Sequence, residues 1–254
     1  MKRLFASIRF LTIVPLPGGG DCTAENLAQT TAWFPIVGAM IGGVVAAAAF
    51  GLWTVLTPGL AAVIVTVMLL GASGGFHMDG FSDTADGFFS SRPKDRILEI
   101  MKDSHVGTMG VMAVVSLILL KVAALGSLDR AAAWPTVLLM ALAGRCTMVL
   151  SMRILPPASP GTGLRSLFCE KCSLLSVLWA VAALFAAAWY LLEWTGVIAA
   201  AVAVGVALVF SAQCYRKIRG ATGDTLGATC ELAETAVAIS MAAALFASTQ
   251  TTGA

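Results

Sequence analysis

Charge is what this chain has least of. Asp, Glu, Lys and Arg make up only 12% of its 254 residues, about half the share of an ordinary soluble domain, and this excludes a soluble globular protein. Disorder is excluded on the same ground, because chains that stay unfolded are rich in charge. The balance of 16 Lys and Arg against 14 Asp and Glu leaves a net charge of +2, too weak a field to hold nucleic acid. Six cysteines spread through the chain are too few and too scattered for a disulfide scaffold. Glycine shows no three-residue period, and there is no Walker motif, no Rossmann glycine fingerprint and no GxSxG nucleophile elbow.

Apolar residues fill the gap: 58% of the chain is hydrophobic and its mean hydropathy is +0.88. A bilayer core of ~30 Å needs ~20 apolar residues per helix. Seven runs of about that length lie at 33–56, 60–76, 106–125, 132–151, 174–192, 196–213 and 233–248. The expectation is an all-α polytopic helical bundle of about seven transmembrane helices, with residues 1–254 as one membrane-embedded catalytic domain. The first 20 residues carry Leu4, Ile8 and Leu11 on one face, are interrupted by Arg9 and are closed by Pro15 and Pro17. They read as an uncleaved amphipathic segment lying in the interface, not as a signal peptide. The small-residue runs 44–49 and 180–188 read as helix-packing faces.

Orientation follows from Lys and Arg, which collect on the cytoplasmic side. With the N-terminus inside, the inner segments hold thirteen of them: Lys2, Arg3, Arg9, Arg92, Lys94, Arg96, Lys102, Arg153, Arg165, Lys171, Arg216, Lys217 and Arg219. The outer side holds two, Lys121 and Arg130, and Arg145 falls inside the fourth span. A cell inner (cytoplasmic) membrane location with a cytoplasmic N-terminus is expected. Trp33, Trp53, Trp134, Trp189 and Trp194 fall near span ends, where indole prefers the interface. No cysteine lies in an outer loop, so no disulfide is expected.

Twelve of the fourteen acids also fall inside, leaving Asp129 and Glu193 outside. The densest cluster lies in a segment expected to be a cytoplasmic acidic motif loop at about 77–105, where Asp79, Asp83 and Asp86 stand at i, i+4 and i+7, a spacing that on helical turns projects all three from one face. Carboxylates that close repel one another unless a cation sits between them, and their hard oxygens suit Mg²⁺. Gly80 and Gly87 would leave room for a phosphate near the backbone, and His77 is available as acid, base or hydrogen-bond donor. A second cluster at about 214–234 has Asp224 and Glu231 at i and i+7, with Gly220, Gly223 and Gly227 around them. The design expected is two acidic faces meeting over one or two Mg²⁺ ions held by Asp79, Asp83, Asp86, Asp224 and Glu231. Cys169 and Cys172 form a lone CxxC, which lacks the second pair a structural zinc needs.

The strings GGFHMDGFSDTADG at 74–87, MKDSHVGTMG at 101–110, FLTIVP at 10–15, WFPIVGAMIG at 33–42 and GATGDTLGATCELAE at 220–234 together resemble the cobalamin synthase family, the adenosylcobinamide-GDP ribazoletransferases. The resemblance runs in order along nearly the whole chain. It implies Mg²⁺-dependent joining of adenosylcobinamide-GDP to alpha-ribazole or its 5'-phosphate, with release of GMP. It carries catalytic roles to Asp79, Asp83 and Asp86, adds Asp103, Asp224 and Glu231, and makes Lys102 a candidate phosphate contact. The implied partners are the two substrates and the lipid bilayer, with self-association or a complex with other cobalamin-assembly enzymes left open. A CDP-alcohol phosphotransferase also works with an acidic motif at a membrane face, but its signature ends in a further Asp and holds an Ala-Arg pair absent here. A secondary transporter would place its acids near the midplane, with internal repeats.

Overall fold

The computed structural model describes residues 2–15, 30–159 and 172–252, and no strand occurs among them. In chain order the helices are α1 (Lys2–Leu11), a 3-10 turn (Thr31–Trp33), α2 (Phe34–Val55), α3 (Pro58–Ala72), α4 (Phe76–Phe89) and α5 (Lys94–Ile100). They continue with α6 (Thr108–Gly126), α7 (Arg130–Ile154), α8 (Leu174–Ile218) and α9 (Gly223–Thr252). Five helices are long and apolar enough to cross a membrane, six if α3 and α4 count as one bent span. This is a multi-pass membrane protein.

The 45 residues of α8 would reach ~67 Å if straight, over twice the bilayer core. They fold back instead at Glu193, whose φ of 50° and ψ of −137° break the helix into arms at 174–192 and 194–218. The Trp189 and Trp194 rings meet edge to face across that turn, 5.1 Å apart. Counted by arms, α2, α3, α6, α7, the two halves of α8 and α9 make the seven passes that the apolar runs imply.

Proline and the small residues shape these passes. Helix α2 stops because Thr57 precedes Pro58, which drives the preceding residue out of the α region, and Pro58 then opens α3. A Cβ on Gly38 or Gly42 would stand 2.9 Å from the Ala141 carbonyl or 2.8 Å from that of Leu138, so α2 packs backbone to backbone on α7. The small-residue faces are borne out: Val45, Ala46 and Ala49, and Ala180 and Ala188, are buried. Helix α7 lies at the centre, capped by Asp129, whose side chain accepts the Ala132 N–H. Large apolar side chains such as Val44, Val67, Leu119 and Val209 face outward, as lipid-facing positions require.

The amphipathic start is helical, but it docks on protein. Ile8 and Leu11 are buried, Phe10 stacks on Phe34, and the Ile13 N–H donates to the Ala72 carbonyl. One end of the bundle therefore gathers α1, the end of α3, α4, α5 and the starts of α6 and α9. At the other end the Trp53 indole donates to the Leu128 carbonyl. Cys146, Cys172, Cys214 and Cys230 are free and buried; Cys22 and Cys169, and with Cys169 the CxxC pair, lie outside the described residues.

Candidate active site

The acidic segment is not a loop. Gly74 and Gly75 take φ of 64° and 78°, a left-handed pair that only glycine adopts at little cost. They turn the chain by 89° from α3 into α4. Helix α4 thus leaves the span and crosses the end of the bundle, wedged between the starts of α6 and α9. Its neighbours explain its glycines. A Cβ on Gly80 would lie 2.7 Å from the Asp224 Cα, and one on Gly227 of α9 would lie 3.0 Å from the His77 backbone. Gly87 faces Met101 and Ile97, the latter in α5. The space beside Gly80 and Gly87 is taken by protein backbone and side chains, so neither is the opening for phosphate expected of it.

That crossing brings Asp224 to the acidic face of α4. Asp79 is exposed, while Asp83, Asp86 and Asp224 are half-buried. Desolvation, then the charges of Asp79, Asp224 and Asp86, push the Asp83 carboxyl up from 3.8 to about 6. Asp224 is set in place by a reciprocal cap on α9. The Thr222 hydroxyl accepts the Thr225 N–H at 3.1 Å, the Thr225 hydroxyl accepts the Thr222 N–H at 2.8 Å, and the Thr222 hydroxyl donates to Asp224.

Asp86 has a different job from its neighbours. Its Oδ2 accepts the Gly107 N–H at 2.7 Å and its Oδ1 accepts the Gly110 N–H at 2.8 Å, so the carboxylate anchors the start of α6. A Cβ at Gly107 would collide with the Asp86 carboxylate, and one at Gly110 with both that carboxylate and Ser82. Gly110→Ala is therefore expected to cost about 1–3 kcal/mol of stability, read as a lower melting temperature. An unchanged melt would mean that the α4–α6 seam can open freely.

The other expected site residues are placed elsewhere. Glu231 lies in the interior, where its Oε2 accepts from Lys121 Nζ at 2.6 Å. Lys121 also donates to Glu234 at 2.8 Å, and Arg145 donates to the second oxygen of Glu234. All four are at most 3% exposed. Glu231 is thus part of an ion-paired network and does not join the acidic face. Lys121, read as an outer helix-end residue, cannot lie across the membrane from Glu231 and Glu234, because it binds both. His77 is also buried, and desolvation, reinforced by Arg145, lowers it to about 3, so the imidazole is neutral. Its ring is on the buried side of α4 and is not presented to a substrate on the exposed face. Lys102, Asp103 and His105 sit exposed in the turn before α6. There Asp103 accepts both the His105 N–H and a contact from its ring, which lowers its pKa. Lys217 donates to the Phe88 carbonyl and so ties down the end of α4.

Among the described residues no three His, Cys, Asp or Glu side chains close into a metal-ligand set. The donor chemistry of the acidic face does fit a hard cation: Asp79, Asp83 and Asp224 offer oxygens alone, and burial first, then the charges of Asp79 and Asp224, raise the Asp83 carboxyl. Sequence reasoning missed Lys121, Arg145 and Glu234. Charged groups inside apolar spans were the available signal, but it does not say which pairs with which.

A family model described as cobalamin-5-phosphate synthase matches residues 3–242. A relative from Clostridium acetobutylicum, named adenosylcobinamide-GDP ribazoletransferase, is 37% identical over 247 residues, covering 96% of this chain and 97% of the relative. One from Herpetosiphon aurantiacus with the same name is 38% identical over 247 residues, with the same coverage. No solved structure gives a significant match.

Proposed function

Since the chain belongs to the cobalamin-5-phosphate synthase family, a membrane-embedded transferase family of cobalamin biosynthesis, we propose that it transfers the adenosylcobinamide phosphoryl group from adenosylcobinamide-GDP to alpha-ribazole or its 5'-phosphate. The products are adenosylcobalamin or its 5'-phosphate, and GMP. The observation that carries this reading is the convergence of Asp79, Asp83 and Asp224, from motifs 140 residues apart, on the exposed end of the bundle. Asp83, Asp224 and Asp79 would hold Mg²⁺. When bound, Mg²⁺ supplies charge neutralisation at the diphosphate and at the leaving oxygen. A sugar hydroxyl attacks the phosphorus that carries cobinamide, and the anhydride oxygen leaves with GMP. Asp79, the most exposed of the four carboxylates, receives the hydroxyl proton. Asp86 touches no substrate and holds the start of α6 beside the acidic face.

The inner-membrane location and a cytoplasmic active face belong to the same proposal. Their support is the Lys and Arg asymmetry, which sharpens once Lys121 is counted as buried and Arg130 alone remains on the opposite side. The test is purified protein in liposomes, given adenosylcobinamide-GDP and alpha-ribazole with and without Mg²⁺. Metal-dependent formation of cobalamin and GMP is expected, and its absence from a folded preparation with either acceptor would sink the proposal.

A pH dependence follows from Asp83. The raised pKa means that its proton is held until about pH 6, and a protonated carboxyl is a poor ligand for a cation. At limiting Mg²⁺, turnover should fall as pH drops through about 6 rather than about 4. Excess Mg²⁺ should move that fall to lower pH, because cation and proton compete. A profile insensitive to Mg²⁺ would remove Asp83 from the metal site.

A further inference from the structure

Two crevices flank α4. The larger, about 820 Å³, runs along the stripe of Phe81, Thr84, Ala85 and Phe88, which points away from Asp79 and Asp83. The other, about 680 Å³, lies between the α3–α4 turn and α6, and its walls include Asp79, Ser82, Met78, Val106, Val111 and Val115. Only Asp79 and Ser82 carry polar side chains among all its lining residues. Ser82 is 5% exposed and its hydroxyl has no hydrogen-bond partner among the described residues. Such an orphan is costly unless something fills it.

We infer that this second crevice is the subsite for the flat, apolar base of the acceptor nucleoside. The inference rests on the function proposed above and deepens it. Three chemical parts must be housed near Asp79: a guanosine, a corrin fringed with amides, and a benzimidazole riboside. Guanine and the corrin amides need many hydrogen-bond partners, and valine walls would leave them unpaired. The methylated benzimidazole is apolar on both faces and has almost nothing to satisfy, which matches a wall of valines with Leu70, Phe76 and Met78. Ser82, by rotation about its single side-chain bond, supplies one polar contact. With the base seated there, the sugar lies at the crevice rim beside Asp79. The hydroxyl oxygen then bonds to phosphorus, its proton passes to Asp79, and the anhydride oxygen departs with GMP.

Val111→Phe and Ser82→Ala test the assignment. Val111 is 51% exposed, so the larger ring narrows the crevice without entering the core, and Ser82→Ala removes one oxygen and adds no bulk. In liposomes, with adenosylcobinamide-GDP and Mg²⁺ saturating, GMP release is followed as alpha-ribazole is varied. The KM for alpha-ribazole should rise about tenfold in Val111→Phe and about threefold in Ser82→Ala, with kcat and the KM for adenosylcobinamide-GDP within twofold of wild type. An unchanged acceptor KM in both variants overturns the subsite. So does an effect that follows the acyl-chain length of the liposome lipid instead of the acceptor, which would mark the crevice as a lipid site. Failure of the wild type itself to release GMP with either alpha-ribazole or its 5'-phosphate overturns the function and the subsite with it, whereas failure of the subsite alone leaves wild-type turnover intact.

Discussion

Lys121→Met is expected to lower the melting temperature in detergent by on the order of 10 °C. The substitution keeps the length and apolar stem of the side chain, so the loss reports charge alone. Lys121 and Arg145 balance Glu231 and Glu234 in a region at most 3% exposed. Removing one cation leaves a buried carboxylate uncompensated, which costs about 3–5 kcal/mol. At about 2–4 °C per kcal/mol for a chain of this size, that gives the stated drop. Lys121→Met combined with Glu231→Gln restores the balance and should recover most of it, since replacing both members of a buried pair is far milder than breaking it. Equal losses in the single and double variants would show that the network acts through shape and not charge.

Asp83→Asn should do the opposite: abolish turnover, by at least about 10³-fold, while leaving the melting temperature unchanged or slightly raised. The carboxyl is held against its own desolvation and then against the charges of Asp79, Asp224 and Asp86, so neutralising it relieves both in the folded chain. Asp79→Asn should share the loss of turnover. Near-normal rates in either variant would remove the acidic face from the chemistry. Side by side, the outcomes expected of Lys121→Met and Asp83→Asn would separate the two acidic groups, one acting on stability and the other on turnover.

Much of this was legible in the sequence, for identifiable reasons. Lipid demands a minimum helix length, so the seven apolar runs located the passes, including the two halves of α8 on either side of Glu193. The i, i+4, i+7 spacing of Asp79, Asp83 and Asp86 made α4 a helix with one acidic face. What sequence could not supply was the identity of partners distant along the chain. Glu231 sits on the same helical face as Asp224, but one turn is decided by Lys121 across the bundle and the other by Asp83 on α4. The glycines are ambiguous for a related reason. A missing side chain marks a close approach but does not say by what, and at Gly80 the visitor is the Asp224 backbone. Spacing alone makes Asp86 equivalent to its two neighbours, and only the Gly107 and Gly110 amides that donate to it set it apart.

The Arg145 to Glu234 pair sets a condition on how the protein is made. The two residues lie 89 positions apart, and a ribosome adding 5–20 residues per second needs roughly 4 to 18 s to pass from one to the other. Throughout that interval α7 carries a cation in an apolar span with its counter-charge unsynthesised, a state that costs about 2.5–3.5 kcal/mol by the insertion scale. Lys121 waits longer still, for Glu231 and Glu234 are 110 and 113 positions downstream. Helix α9 is thus the one that neutralises α6 and α7, both made before it, so a chain truncated ahead of α9 is expected to leave two uncompensated cations in apolar spans.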